Sequence, residues 1–145
     1  MRIEPTLPAV LLGRLMGDRA APSMAVPICT IDDDGFAHPA MLSYGELRAD
    51  DGRTLRAAVY GASRTARNLR ERHRLTLIFV DSAVTCYVKA RLDGGEMPHP
   101  TSPGVAVFSL AVESVSMDRV DTSREPDAVI ESGISFRRAT PGTTL

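Results

Sequence analysis

The chain has no tryptophan, a single lysine, two cysteines and no surplus of positive charge. Its formal net charge of −1 argues against general nucleic-acid binding, which needs an excess of cations facing the phosphates. A sensory or nucleic-acid-associated role is the weakest reading for that reason. Cys29 and Cys86 are far apart in sequence, each inside an expected strand, with no C-x-x-C motif. Two buried thiols in a reducing cytosol are expected. His38, His73 and His99 are scattered without ligand spacing, so no metal site is expected. No apolar run reaches membrane-spanning length. Leu7–Leu12, bracketed by Glu4 and Arg14, is too short for a signal peptide. The expectation is a cytoplasmic protein that engages neither membrane nor nucleic acid.

What remains is 145 residues, enough for one domain with a real core and no disulfide or metal staples. Residues 1–24 read as an N-terminal helix and loop, 25–117 as the main body, and 118–145 as a short helix and tail. Leu7, Val10, Leu11, Leu15 and Met16 recur at helical spacing. Ala25–Ile31 reads as a strand in which Pro27 marks an edge or a beginning. Asp32-Asp33-Asp34-Gly35 is a turn, and a hairpin to Phe36–Ala49 follows. The three aspartates alternate direction and end in glycine, so turn chemistry explains them better than metal binding.

A second acidic turn at Asp50–Arg53 leads into a strand over Thr54–Tyr60. Leu75–Asp81, Thr85–Leu92 and Val105–Met117 complete the strands, the last long enough to bend. Asp93–Gly104, with two adjacent glycines and three prolines, reads as a loop. Arg124–Glu131 reads as a short helix with Pro126 in its first turn, and Thr140–Leu145 as a mobile tail. The fold class is mainly β, about six antiparallel strands closing into a barrel to remove their edges.

The segment that points to chemistry is Gly61-Ala-Ser-Arg-Thr-Ala-Arg-Asn-Leu-Arg-Glu-Arg-His-Arg74, between two strands. Ser63 is a good N-cap, and the first free amides of a helix attract an anion. Arg64, Arg67 and Asn68 share one face of its opening turns. Taken alone, the charge run also fits a solvated helix face, the reading kept for Arg70, Arg72 and Arg74. The glycine and serine opening between strands favours a phosphate cradle.

The order of these elements resembles the FMN-binding split-barrel family related to pyridoxamine 5′-phosphate oxidase. The resemblance covers about residues 25–117 and is carried by AVPICTIDDDGFAHPAMLS (25–43) and VYGASRTARNL (59–69). It implies an antiparallel split β-barrel and a flavin held by its phosphate at Ser63, Arg64 and Thr65, with Asn68 in the next turn. It implies that Ala40, Met41, Leu42 and Ser43 lie along the ring and ribityl chain, and that Ala58 and Val59 approach the ring edge. Tyr87 and Lys89 match positions that reach the cofactor from the far side. It further implies a homodimer with cofactor sites at the interface, and a small flavin-dependent oxidoreductase acting on an unidentified small molecule. The alternative is a non-catalytic cofactor-binding or interaction module on the same barrel, holding a deazaflavin, haem or nothing. With no tryptophan, and nothing after Met117 resembling that oxidase's substrate-binding segment, oxidation of pyridoxamine phosphate itself is not implied.

Overall fold

A computed structural model describes residues 2–17, 22–139 and 142–145. Nine strands form one antiparallel sheet: β1 (Arg2–Glu4), β2 (Met24–Ile31), β3 (Ala37–Ser43), β4 (Leu47–Asp51), β5 (Thr54–Tyr60), β6 (Arg74–Val80), β7 (Thr85–Pro98), β8 (Val105–Met117) and β9 (Ile134–Ser135). Their order is β3-β2-β6-β7-β8-β5-β4, with β1 added to β8 and β9 to β2. The architecture is the split barrel expected. Among the described residues the α-helices are α1 (Ala9–Leu15) and α2 (Arg64–Arg72). α2 packs on β2 and also touches β3, β5 and β6, while α1 lies on β4.

Period-two burial builds the core. Leu75, Leu77 and Phe79 of β6 point inward beside Val26 and Ile28 of β2 and Cys86 and Val88 of β7. Phe108, Leu110, Leu55 and Leu69 fill the space beside them, and α1 contributes Leu11 and Leu15. Burial in this core pushes the Cys86 thiol up to about 12, so it stays protonated and inert.

The two acidic turns behave as their chemistry requires. The Gly35 amide donates to Asp32 O at 2.9 Å, and Gly35 takes φ +86°, which its missing Cβ permits. Asp51 Oδ1 accepts from the Arg53 amide at 2.8 Å and from Thr54 Oγ1 at 3.0 Å, closing the β4–β5 hairpin.

Five expectations change. Phe36–Ala49 is not one strand: a 3₁₀ turn at Tyr44–Glu46 separates β3 from β4, fixed by Glu46 Oε1 accepting from the Ser43 amide at 3.0 Å. Pro27 sits inside β2, not at an edge or beginning. It occupies the gap between β9, paired at Met24 and Ala25, and β6, paired from Ile28, so no ladder bond on that side is lost. Asp93–Pro98 belongs to β7, because Gly94 at φ +94° makes a bulge and pairing resumes at Glu96↔Phe108.

Arg124–Glu131 forms turns and no helix. Its residues are largely exposed, so it has no apolar stripe to bury, and the Arg124 and Glu125 amides both turn back to Asp121 O. The expected mobile tail is only partly described, since Thr140 and Pro141 lie outside the described residues. Its remainder packs against the 3₁₀ turn: the Leu145 amide donates to Gly45 O at 2.8 Å.

Candidate functional site

The head of α2 forms as its sequence requires. Ser63 has extended backbone, and its Oγ accepts from the Ala66 amide at 3.1 Å while its hydroxyl donates to Tyr60 O at 2.6 Å. The Arg67 amide donates to Ser63 O at 3.1 Å. Among the described hydrogen bonds, the Arg64 and Thr65 amides have no protein acceptor. Two backbone donors, reinforced by the positive end of the helix dipole, therefore stand open where Arg64 is exposed.

The arginines of α2 divide into two groups. Arg67 donates to Asp33 at 2.8 Å and to Glu71 at 3.1 Å. Arg72 reaches Asp33 at 2.6 Å and Ile31 O at 2.9 Å. Arg70 forks onto Glu96 at 2.7 and 2.9 Å and also donates to Gly61 O at 2.7 Å. Arg64 alone has no carboxylate partner among the described residues. The Arg72 hydrogen bond, with Arg67 and Arg72 nearby, holds the Asp33 carboxyl below its ordinary range. Arg70 and Arg72, expected to form a solvated face, are thus ion-paired braces.

Asn68 is fully buried, and its amide donates to Thr30 Oγ1 at 3.0 Å and Asp32 Oδ1 at 2.9 Å. That bond is the main cause lowering the Asp32 pKa, with His38 and Arg64 adding to it. Asp32 also faces His38 Nδ1 at 3.3 Å. Asn68 therefore stands behind the α2 head as a strut to the β2–β3 hairpin, with its amide nitrogen already committed.

The remaining expected residues lie on three strands. On β3, Ala40 is half-buried opposite Ile28, Leu42 and Ser43 are buried, and Met41 is 64% exposed. On β5, Ala58 and Val59 are buried opposite Val107 and Ala106, next to Tyr60, which is 73% exposed. Met41 and Tyr60 line one cleft of about 460 Å³, so the structure brings the β3 and β5 segments together. Thr65 is buried beneath the α2 head.

Tyr87 and Lys89 are on β7, three places from β3 in the sheet order, a separation of about 14 Å at ordinary strand spacing. Tyr87 donates its hydroxyl to Asp118 at 2.6 Å, and Lys89 is exposed. Neither lines the cleft that Met41 and Tyr60 share.

One contributor went unseen in the sequence. The segment after β9 returns to β3, where Arg138 Nη2 donates to Ser43 Oγ at 3.2 Å. Its Phe-Arg-Arg triplet at 136–138, an aromatic followed by two cations, was the available signal. Among the described residues no cluster of histidine, cysteine or carboxylates has metal-binding geometry, and no helix is long and apolar enough to cross a membrane.

No family model matches the sequence, and no curated protein matches it. Solved structures do match. A pyridoxamine 5′-phosphate oxidase candidate from Lactobacillus delbrueckii superposes with a TM-score of 0.61 at 18% identity, covering 80% of this chain and 99% of that one. The fold is that of the pyridoxamine-phosphate-oxidase-like split barrels. An FMN-binding protein from Syntrophomonas wolfei gives 0.57 at 16% identity, covering 77% and 88% of the two chains. An F420 reductase gives 0.56 at 12% identity, covering 76% and 98%. Proteins named for FMN binding and flavin reduction are thus among the structural neighbours of this chain.

Proposed function

We propose that this protein binds FMN and works as a small flavin-dependent oxidoreductase, as a homodimer with two cofactor sites at its interface. The observation that carries the reading is the head of α2. Two open amides and an arginine without a carboxylate partner converge there, beside strands that form one cleft. A flavin phosphate carries about two negative charges, and charge-assisted bonds from Arg64 and those amides suit it. Ser63 holds the helix end in place, and Thr65 supports it from below. The extended backbone at Ala40–Ser43 and Ala58–Val59 offers a flat wall for the ring.

FMN when bound supplies the hydride chemistry; the protein supplies position and electrostatics. Tyr87 and Lys89 do not line the cleft shared by Met41 and Tyr60, and in the proposed dimer a second copy delivers them. Light scattering coupled to size exclusion checks that assembly, with a monomer mass of 15.6 kDa as the contrary result.

The direct test is a visible absorption spectrum of the purified protein before and after adding FMN, with a deazaflavin run in parallel. Saturable FMN binding with turnover of a reduced nicotinamide supports the reading. Binding without turnover favours the non-catalytic module on the same barrel. Protein that takes up neither cofactor contradicts the oxidoreductase reading and leaves a module that holds haem or nothing.

A further inference from the structure

Arg138 stands at the junction of two cavities. One, about 790 Å³, is walled by Ser43, Tyr44, Phe136 and Arg137. The other, about 460 Å³, runs to Met41 and Tyr60. Both are of the size that takes a small organic ligand. The guanidinium is held from several sides. It lies 4.9 Å from the Phe136 ring centroid and donates to Ser43 Oγ at 3.2 Å. It also lies against Gly142 so closely that a Cβ there would overlap Nη1.

Its charge is only partly answered. Among the described residues, the one carboxylate beside it is Glu46, 3.7 Å away, and Glu46 Oε1 already accepts from the Ser43 amide and the Ser43 hydroxyl, each at 3.0 Å. Arg137 adds a second cation to the same lining. A guanidinium has five donors, and the described contacts of Arg138 use a minority of them. A fixed, under-neutralised guanidinium beside an aromatic ring suits a planar organic molecule with a carboxylate or a phosphate.

We propose that the cleft between residues 136–139 and 142–144 on one side and the β3–3₁₀ corner on the other is a binding site for a small organic anion, with Arg138 as its charge contact. Its role as the substrate site of a flavin enzyme rests on the reading above; the binding itself does not. The segment after β9 would then supply a substrate wall that no motif after Met117 announces.

The test is a ¹H–¹⁵N NMR titration of the flavin-free protein with phenyl phosphate, benzoate and neutral benzamide. Saturable shifts are expected at the Gly45, Ala139 and Gly142 amides for at least one anion, and the tighter of the two assigns the anionic group. Arg138→Gln should weaken that binding about tenfold or more. Arg138→Lys should recover part of it, and Gly142→Ala should weaken it by displacing the guanidinium. The dispersion of each spectrum reports directly whether the variant is folded.

Equal binding of benzamide, wild-type affinity in a folded Arg138→Gln, or shifts confined to the Arg64 and Thr65 amides would overturn the proposal. FMN is titrated separately. Anion shifts in the cleft without any FMN binding would refute the flavin reading and leave the cleft site standing.

Discussion

The two ends of α2 carry the same residue type and use it differently. Over its last turns Arg67, Arg70 and Arg72 are each closed onto carboxylates at 2.6–3.1 Å, clasping the Asp33 turn and the end of β7. At its head Arg64 has no such partner among the described residues, and two amides beside it are open. A run of arginines is therefore not one electrostatic object. Acids from the Asp33 turn, from β7 and from α2 itself convert most of it into braces, and Arg64 is left without such a partner among the described residues.

That contrast can be broken in stages. The largest effect on stability belongs to Asn68→Ala, which leaves Thr30 and Asp32 without their shared donor inside a buried contact. About 2–3 kcal/mol of destabilisation is expected in urea unfolding, and a loss under about 0.5 kcal/mol would show that the strut carries nothing. Ser63→Ala removes the N-cap and should cost about 1 kcal/mol, with flavin affinity falling as the helix end frays. Arg67→Ala opens two exposed ion pairs, to Asp33 and to Glu71. It should cost about 0.2–1 kcal/mol, diminishing with salt, and leave FMN affinity within about twofold; a larger affinity loss would move Arg67 into the cradle.

A further contrast is with Arg14, which reaches buried Asp81 at 2.6 Å and Tyr44 at 3.1 Å. Burial alone would raise the Asp81 pKa, but the Arg14 guanidinium and the Ala83 and Val84 amides outweigh it and hold the carboxyl low. A depressed folded-state pKa contributes stability above the ordinary aspartate value of 3.8, and that stability is lost as pH falls through the lower folded value. Urea midpoints measured from pH 6 downward should therefore decline less steeply below about pH 4 in Asp81→Asn than in the wild type. Parallel profiles would mean that Asp81 has no such role.

Local chemistry was legible. Ser63, the Asp32–Gly35 turn and the Asp51 turn each act through neighbours within a few residues, so their residue types announce them. The order of strands and one helix sufficed to recognise the barrel. The contacts that decide what each polar side chain is free to do were not legible. Asn68 meets Thr30 across 38 positions, Arg67 meets Asp33 across 34, and Arg138 meets Ser43 across 95. Likewise β1 and β9, at three and two residues, exist through their partner strands and not through any periodicity of their own. Pro27 misled because its missing amide proton matters only where a neighbour waits to accept it, and at that point β2 has none.

The most direct measurement compares FMN with riboflavin, which lacks the phosphate, in the wild type and in Arg64→Ala by calorimetric titration. If the α2 head holds the phosphate, FMN binds the wild type more tightly than riboflavin. The substitution then lowers FMN affinity about tenfold or more and leaves riboflavin affinity unchanged. Equal loss for both ligands, or none for FMN, would place the phosphate elsewhere and contradict the assignment of the α2 head as its cradle.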